Sequence, residues 1–266
     1  ATSSGKWIQP LGDAQQLATG WDLEQRRREE RRSVLENGVP QLVGFDGEPF
    51  QARITRLAAW VQDEWELSPQ WSTYLGLRAE RIDTRSTGSD GTLSSRSQVL
   101  TPLWHLNFKP RVGQRDLVRA SLTRSYRAPD LSQLMARPSI NTSYPVSGGN
   151  TELSPDRVGN PALKPELATG LDIAYERYLP GGGIVSVGLF HRRLSGLLRN
   201  RITLVAVDWS PVPRWVSRPS NLPGARSTGL EVEMKGKASE LFGLSQTWAP
   251  DWSLRASASA YRSQVN

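Results

Sequence analysis

Apolar and polar side chains alternate at every second residue in several segments of this chain. Between residues 71 and 82, Leu75 and Leu77 lie on one side of an extended backbone. Arg78 and Glu80 lie on the other side. The same alternation recurs in residues 230–235 and 254–260. A period of two indicates strands with one apolar face and one face in contact with water, so the fold is predicted to be all-β.

The lengths of the predicted connections distinguish a membrane barrel from a soluble sandwich. The short turns lie near residues 10–13, 68–70, 110–115, 180–183 and 249–251, and the long links span about 33–49, 84–96, 128–165 and 199–225. Short and long connections therefore alternate along the chain. Up-and-down transmembrane barrels combine tight turns on one rim with extended loops on the other. The predicted fold is an antiparallel up-and-down transmembrane β-barrel.

This template predicts about ten strands. They cover residues 3–9, 15–32, 51–66, 71–83, 97–109, 116–126, 166–178, 184–198, 226–241 and 252–262. Several exceed the ~9–11 residues that cross a bilayer, so their outer ends are expected to project as a polar collar. Residues 22–36 are the hardest to assign, because their Glu and Arg pairs also fit helical spacing. A strand is the preferred interpretation, and a helix is the alternative.

Two motifs relate this alternation of strands, short turns and long links to a known family. R-A-P-D-L-S-Q-L begins at Arg127, and G-N-P-A-L-K-P-E ends at Glu166, where an alternating strand follows. The pair resembles the β-barrel domain of TonB-dependent receptors, in which the first motif opens a long external loop and the second returns to the barrel wall. Residues 58–65, 75–78 and 221–231 also resemble wall segments of that family. The resemblance covers nearly the whole chain.

The resemblance implies a transport receptor of the bacterial outer membrane. In such receptors an N-terminal plug fills a barrel of about 22 strands. External loops capture a scarce ligand, such as a ferric siderophore or cobalamin, and the TonB complex pulls on the plug to drive import. No catalytic step and no resident cofactor are implied, and iron would enter only as part of a transported chelate. Surrounding lipid is the other expected partner, and no nucleic acid is expected.

Residues 1–266 are interpreted as one partial barrel domain, without the plug and without the C-terminal strands. Such a piece would have two unpaired sheet edges, which hydrocarbon cannot satisfy. We expect the isolated chain to aggregate, or to close, pair or swap its edges. Light scattering tests this expectation, and a monomer in concentrated detergent-free buffer would contradict it.

The resemblance also suggests roles for individual residues. The motif residues are assigned to the architecture of the loop and wall: Arg127, Pro129, Asn160, Pro161, Pro165 and Glu166. Aromatic and basic residues of the two longest links are candidates for ligand binding: Arg137, Tyr144, Trp209, Arg214, Trp215 and Arg218. The alternative is that each of these side chains only packs the loops together.

Tryptophan is abundant, with ten residues. Five of them border the predicted short turns: Trp7, Trp65, Trp71, Trp248 and Trp252. This placement predicts an aromatic girdle at one membrane interface. Half-buried rings without a role at the interface are the alternative.

Composition excludes several other classes of protein. No apolar run approaches the ~18 residues that a spanning helix needs. The absence of cysteine excludes disulfides and thiolate metal sites. The net charge of +7 comes mostly from arginines that are interleaved with carboxylates. This pattern favours a solvated, self-neutralising surface over a nucleic-acid site.

Catalytic and metal sites are not predicted. His105 and His191 are the only histidines, and the phosphate-loop, dinucleotide and H-E-x-x-H motifs are absent. An outer-membrane barrel enzyme is one alternative, and it would need a Ser or Asp beside one histidine. A soluble β-sandwich that binds carbohydrate or protein is the other. In that fold the apolar face of Leu75 would pack on that of Leu230.

Overall fold

The computed structural model describes residues 1–40, 47–88, 91–111, 113, 115–243 and 252–265. In chain order the elements are β1 (Thr2–Pro10), β2 (Gln15–Glu30), β3 (Leu35–Glu36), β4 (Val39–Pro40), β5 (Phe50–Glu66), β6 (Trp71–Gly88), β7 (Gly91–Phe108), β8 (Asp116–Arg127), α1 (Leu131–Leu134), β9 (Asp156–Arg157), β10 (Glu166–Tyr178), β11 (Ile184–Val205), β12 (Arg214–Lys237), α2 (Ala238–Phe242) and β13 (Ser253–Val265). No helix among the described residues is both long and apolar enough to cross a membrane.

The ten long strands form a single antiparallel meander. Their order in the sheet is β1-β2-β5-β6-β7-β8-β10-β11-β12-β13, so each long strand pairs with the next one along the chain. The short strand β9 adds to β12 in parallel, and β3 pairs with β4 in a separate small hairpin. The predicted all-β, up-and-down topology is confirmed.

One face of the sheet carries a continuous apolar surface, which we call the apolar belt. It comprises Leu57, Ala59, Val61, Leu75, Leu77, Ala79, Leu100, Trp104, Leu122, Leu171, Ile173, Val187, Leu189, Leu230 and Val232, which are joined by cross-strand pairing. Leu75 and Leu230 keep exposed fractions of 47% and 40%, so neither is covered by a second sheet. The sandwich alternative is therefore wrong, because its apolar faces would pack on each other.

The opposite face, here called the inner face, is polar and is partly covered by the segment between β8 and β10. We call this segment, residues 128–165, the inner loop. One buried cluster joins the inner loop to four wall strands: Ile54, Ile82, Val99, Leu134, Leu163 and Leu198. Strands β5 and β11 are five steps apart in the sheet, yet both contribute to the cluster. The sheet therefore curves around the inner loop.

Two predicted long links are largely strand. Residues 84–88 and 91–96 belong to β6 and β7, and most of residues 199–225 belong to β11 and β12, which leaves 206–213 as the connection between those two strands. Pro219 and Pro223 lie within this stretch, and proline commonly interrupts strand ladders. In the structure the ladder tolerates Pro219 opposite Asn200. At Gly196, with φ of +64°, and at Pro223 the ladder skips one position and then resumes.

The arginine-rich segment in the first quarter of the chain is a strand as far as Glu30, as preferred from the sequence. Its charges pair between residues two apart, which share one face of a strand. Arg26 lies 2.5 Å from Glu24, and Arg28 lies 3.3 Å from Glu30. This i, i+2 pairing explains why a sequence with helical propensity is compatible with an extended backbone.

Four of the five tryptophans assigned to a girdle are exposed: Trp7, Trp65, Trp71 and Trp252. Trp65 and Trp71 flank the turn between β5 and β6, and Trp71 stacks on Phe108 with ring centroids 4.2 Å apart. Trp248 and the turn predicted at 249–251 lie outside the described residues. The positions fit an interfacial girdle, which stays a prediction.

We predict that Leu189→Arg destabilises the full-length protein by about 2–4 kcal/mol in a bilayer. Leu189 lies in the middle of the apolar belt, between Ile173 and Leu230, where a cation would face hydrocarbon. Urea-induced unfolding in lipid vesicles measures the change in the free energy of unfolding.

Ser186→Arg is the matched control on the same strand. Ser186 lies on the inner face between Glu176 and Glu233, where an added arginine would find carboxylates. We expect a cost below about 1 kcal/mol. Equal costs for the two variants would contradict the assignment of the two faces.

Candidate functional site

The inner loop is anchored at both ends by backbone hydrogen bonds. Gly159 N–H donates to the Met135 carbonyl at 3.0 Å, and Asn160 N–H donates to the Gln133 carbonyl at 2.6 Å. A Cβ at Gly159 would collide with that Met135 carbonyl, which explains the glycine at the start of the second motif. The loop therefore leaves and returns to the wall through one tight crossing.

The motif side chains join this crossing to the wall. Asn160 Nδ2 donates to the Pro219 carbonyl at 3.0 Å, and Glu166 Oε2 accepts from Leu198 N–H at 2.9 Å. The remaining motif residues are distributed around them: Arg127 exposed, Pro129 buried, Pro161 and Pro165 partly exposed. The hydrogen bonds of Asn160 and Glu166 therefore link the loop to β12 and β11.

A buried ion pair holds the centre of the inner loop. Arg214 on β12 and Asp156 on β9 each have a side chain that is 0% exposed. Arg214 donates from Nε and Nη2 to the two carboxylate oxygens, at 2.6 and 3.0 Å. Its Nη1 donates to the carbonyls of Pro145 and Gly148. A buried pair is favourable only when such extra hydrogen bonds offset the loss of water.

The same carboxylate also binds Trp209, another of the residues predicted to bind ligand. The Trp209 indole donates to Asp156 Oδ2 at 3.2 Å, and Asn141 N–H donates to Oδ1 at 3.0 Å. Nearby, Asn150 bonds both the N–H and the carbonyl of Trp215, at 2.6 and 2.9 Å. These contacts tie residues 141–156 to the start of β12.

The six residues predicted to bind ligand differ in how exposed their side chains are. Arg214 is fully enclosed and its contacts hold the loop in this structure, and its assignment as a ligand contact stays a prediction. The structure does not bring the other five together at one point. Tyr144 is partly exposed, with its hydroxyl 3.4 Å from that of Thr151, and Arg218 is exposed on β12. Arg137 is buried over the Phe50 ring and lines a cavity.

This cavity, of about 340 Å³, lies between the inner loop, the outer end of β2 and the ends of β11 and β12. We call it the cationic cavity, because Arg28, Arg32, Arg137 and Arg157 line it with Glu30 as the only carboxylate among its lining residues. Its polar lining also includes Ser132, Gln133, Ser139, Asn200 and Ser217. An excess of guanidinium groups in a concave site attracts anions.

Hydrogen bonds position the arginines of the cationic cavity. Arg32 donates from Nη1 to Ser139 Oγ at 2.7 Å and lies 3.3 Å from Glu30, which also pairs with Arg28. Arg137 donates to the Arg32 carbonyl. One carboxylate is shared by two guanidinium groups, so the cavity keeps an excess of positive charge.

The sequence interpretation missed Arg28, Arg32, Arg157 and Asp156. For Arg28 and Arg32 the sequence held a signal. Residues 26–32 contain five arginines and two glutamates, so the carboxylates of this segment are too few to neutralise its arginines. For Asp156 there was none, because its partner is 58 residues away in the sequence.

A second charged group on the inner face is self-neutralised. Arg78 lies 2.5 Å from Asp22 and 3.0 Å from Glu80, and Arg56 bridges Glu80 and Glu24 at 2.8 Å each. The Tyr126 hydroxyl donates to Glu80 and accepts from Arg56. Arg26 also pairs with Glu24 at 2.5 Å, so three guanidinium groups match three carboxylates, and this network offers less for an anion than the cationic cavity.

The histidines do not form a catalytic arrangement in the described part of the chain. The His105 and Tyr74 rings form a T-shaped pair with centroids 5.8 Å apart, and Ser121, the cross-strand neighbour of His105, donates to Asp172 at 3.0 Å. His191 Nδ1 lies 2.7 Å from the Thr228 hydroxyl. Among the described residues no cluster of three metal-ligating side chains is found.

Comparison with known proteins decides the family. The model of the TonB dependent receptor-like β-barrel family matches residues 2–266. The chain belongs to this family. TonB-dependent receptors are transporters of the bacterial outer membrane, so the predictions of location and of a non-enzymatic chain are confirmed at the family level. No curated protein sequence matches.

Solved structures of other receptors share the fold at low identity. The alcaligin outer membrane receptor FauA of Bordetella pertussis is 17% identical with a TM-score of 0.55, covering 99% of this chain and 38% of its own. The ferric enterobactin receptor PfeA of Pseudomonas aeruginosa, solved as a mutant with enterobactin, is 19% identical with a TM-score of 0.59, covering 90% and 34%. The copper transporter OprC is 15% identical with a TM-score of 0.63, covering 99% and 38%. This receptor chain spans less than two fifths of their length.

We predict that Arg214→Met loosens the inner loop without unfolding the wall. The change would leave the buried Asp156 carboxylate without its cation, which costs about 3–5 kcal/mol. Hydrogen exchange followed by mass spectrometry should show faster exchange in residues 139–158 and unchanged exchange in β5 and β6.

Arg218→Met is the control for this prediction, since Arg218 is exposed and lies four residues further along β12. It should leave exchange in the inner loop as it is in the wild type. Unchanged protection in the Arg214 variant would show that the ion pair does not hold the loop.

Proposed function

We propose that this chain is part of an outer-membrane receptor that binds an anionic metal chelate, such as a ferric siderophore, for TonB-energised import. The observation that carries the proposal is the cationic cavity, which lies on the inner face at the rim of long connections. Four guanidinium groups and one carboxylate line it. Forked N–H donors match carboxylate and catecholate oxygens, which are the metal-binding groups of such chelates.

The names of the structural relatives support a chelate without selecting one. FauA is named for alcaligin, PfeA is described with enterobactin, and OprC is named as a copper transporter. Cargo therefore differs among proteins that share this wall. The positive charge of the cavity supports an anionic ligand.

Exposed cations extend the site beyond the cavity. Arg218 lies directly opposite Arg201 on the projecting part of the β11–β12 hairpin, and both are exposed. Like charges on opposed strand positions are destabilising, so an anion bound between them would relieve the repulsion. The partly exposed rings of Tyr144, Trp209 and Trp215 supply stacking surfaces for an aromatic chelate.

Binding at this rim requires no chemical step. The ligand would be released inward when the TonB complex acts on a plug supplied by the full-length receptor. The residues that matter for uptake are then those that set affinity. The cationic cavity is the first place to test them.

A growth assay with a strain that lacks the receptor can identify the ligand. A strain that lacks the full-length receptor should fail to grow on one member of a panel of single iron chelates, with copper and cobalamin supplied in parallel arms. Complementation with the wild-type gene should restore growth on that source. Equal growth of both strains on every source would contradict a role in uptake.

The double variant Arg28→Gln/Arg157→Gln should then bind the identified ligand about tenfold or more weakly, because each charge-assisted hydrogen bond contributes about 1.5–3 kcal/mol. Isothermal calorimetry on the purified receptor measures the affinity. Arg177→Gln is the control, since Arg177 lies at the short-turn end of β10 beside Asp116. An unchanged affinity in the double variant would exclude the cavity as the binding site.

A further inference from the structure

The outward face of the sheet changes abruptly from apolar to cationic above the apolar belt. Leu57 in the belt lies directly opposite Arg81, and from there toward the long-loop rim the outward positions are polar or charged and include several arginines. We call this group the arginine patch: Arg27, Arg53, Arg81, Arg85 and Arg96, with Glu29 and Asp83 as the carboxylates of the same face. The patch therefore borders the hydrocarbon-facing surface directly.

The carboxylates of the patch do not neutralise it. Asp83 is shared by Arg81 and Arg96, at 2.7 and 2.8 Å. Arg53 and Arg85 lie directly opposite each other on β5 and β6. Among the described residues neither has a carboxylate within 4.0 Å. Two like charges at opposed strand positions are destabilising, so an anion between them would stabilise the pair.

The shape and chemistry of the patch fit a phosphate group. Arg53, Arg81, Arg85 and Arg96 line a shallow groove of about 480 Å³, together with hydroxyl donors such as Ser94 and with Asp83 as the one carboxylate among its lining residues. Guanidinium forks and hydroxyl groups are the usual donors to phosphate oxygens. The groove faces away from the inner loop, so it is separate from the cationic cavity.

We propose that the arginine patch binds the phosphorylated headgroup of a lipid in the outer leaflet, with the acyl chains of that lipid on the apolar belt below. The direct contact of belt and patch selects a lipid over free phosphate. A second like-charge pair supports the assignment: Arg193 and Arg226 lie opposite each other on the same face of β11 and β12. This inference goes beyond ligand uptake and does not depend on the imported ligand.

Native mass spectrometry of the full-length receptor in neutral detergent tests the proposal. Phosphatidylglycerol, phosphatidylcholine and inorganic phosphate are each added, and the lipids that stay bound are counted. The wild type should retain phosphatidylglycerol in preference to phosphatidylcholine, and added salt should weaken the preference. Arg53→Gln/Arg85→Gln should reduce retention by about fivefold per arginine removed.

Arg26→Gln is the matched control, because Arg26 is the neighbour of Arg27 in the chain but lies on the inner face, paired with Glu24 at 2.5 Å. It should retain lipid as the wild type does. Heat-dependent gel mobility verifies that each variant is folded. The proposal is overturned if the wild type does not discriminate between the lipids, if the double variant retains as much as the control, or if inorganic phosphate displaces the lipid as effectively as phosphatidylglycerol.

Discussion

Backbone hydrogen bonding is the constraint on which the rest of this structure depends. In hydrocarbon every N–H and C=O must find a partner inside the protein, and a meander in which each long strand pairs with the next meets this demand locally. Once the strands are paired, a period of two assigns every side chain to lipid or to the interior. The apolar belt, the inner face, the cationic cavity and the arginine patch all follow from that assignment.

The parts of the fold that depend on local pattern could be predicted from the sequence. The positions of the ten long strands could be predicted from the alternation around residues such as Leu75 and Leu230 and from the spacing of short and long connections. The extent of β11 and β12 could not be predicted, because Pro219 and Pro223 carry the local signature of a loop. Only pairing with the opposite strand shows that the ladder continues past them.

The functional residues depend on contacts that no local pattern shows. Arg214 and Trp209 were chosen because they are basic or aromatic, yet their partner is a single buried carboxylate, Asp156. Residue type alone therefore did not show that these two side chains share one buried partner. Arg28 was assigned to a polar collar, and only the fold of the inner loop places it in a concave site.

Strand β2 shows that the register of a strand determines which of its side chains face lipid and which face the interior. Arg27 and Arg28 are adjacent in the chain but face opposite environments, as do Leu23 and Glu24. Inserting or deleting one residue here would move every later side chain of the strand to the opposite face of the sheet. Carboxylates would then face the acyl chains, and leucine would face the inner side. Evolution of this wall should therefore proceed by substitution within strands, while changes in length are confined to the connections.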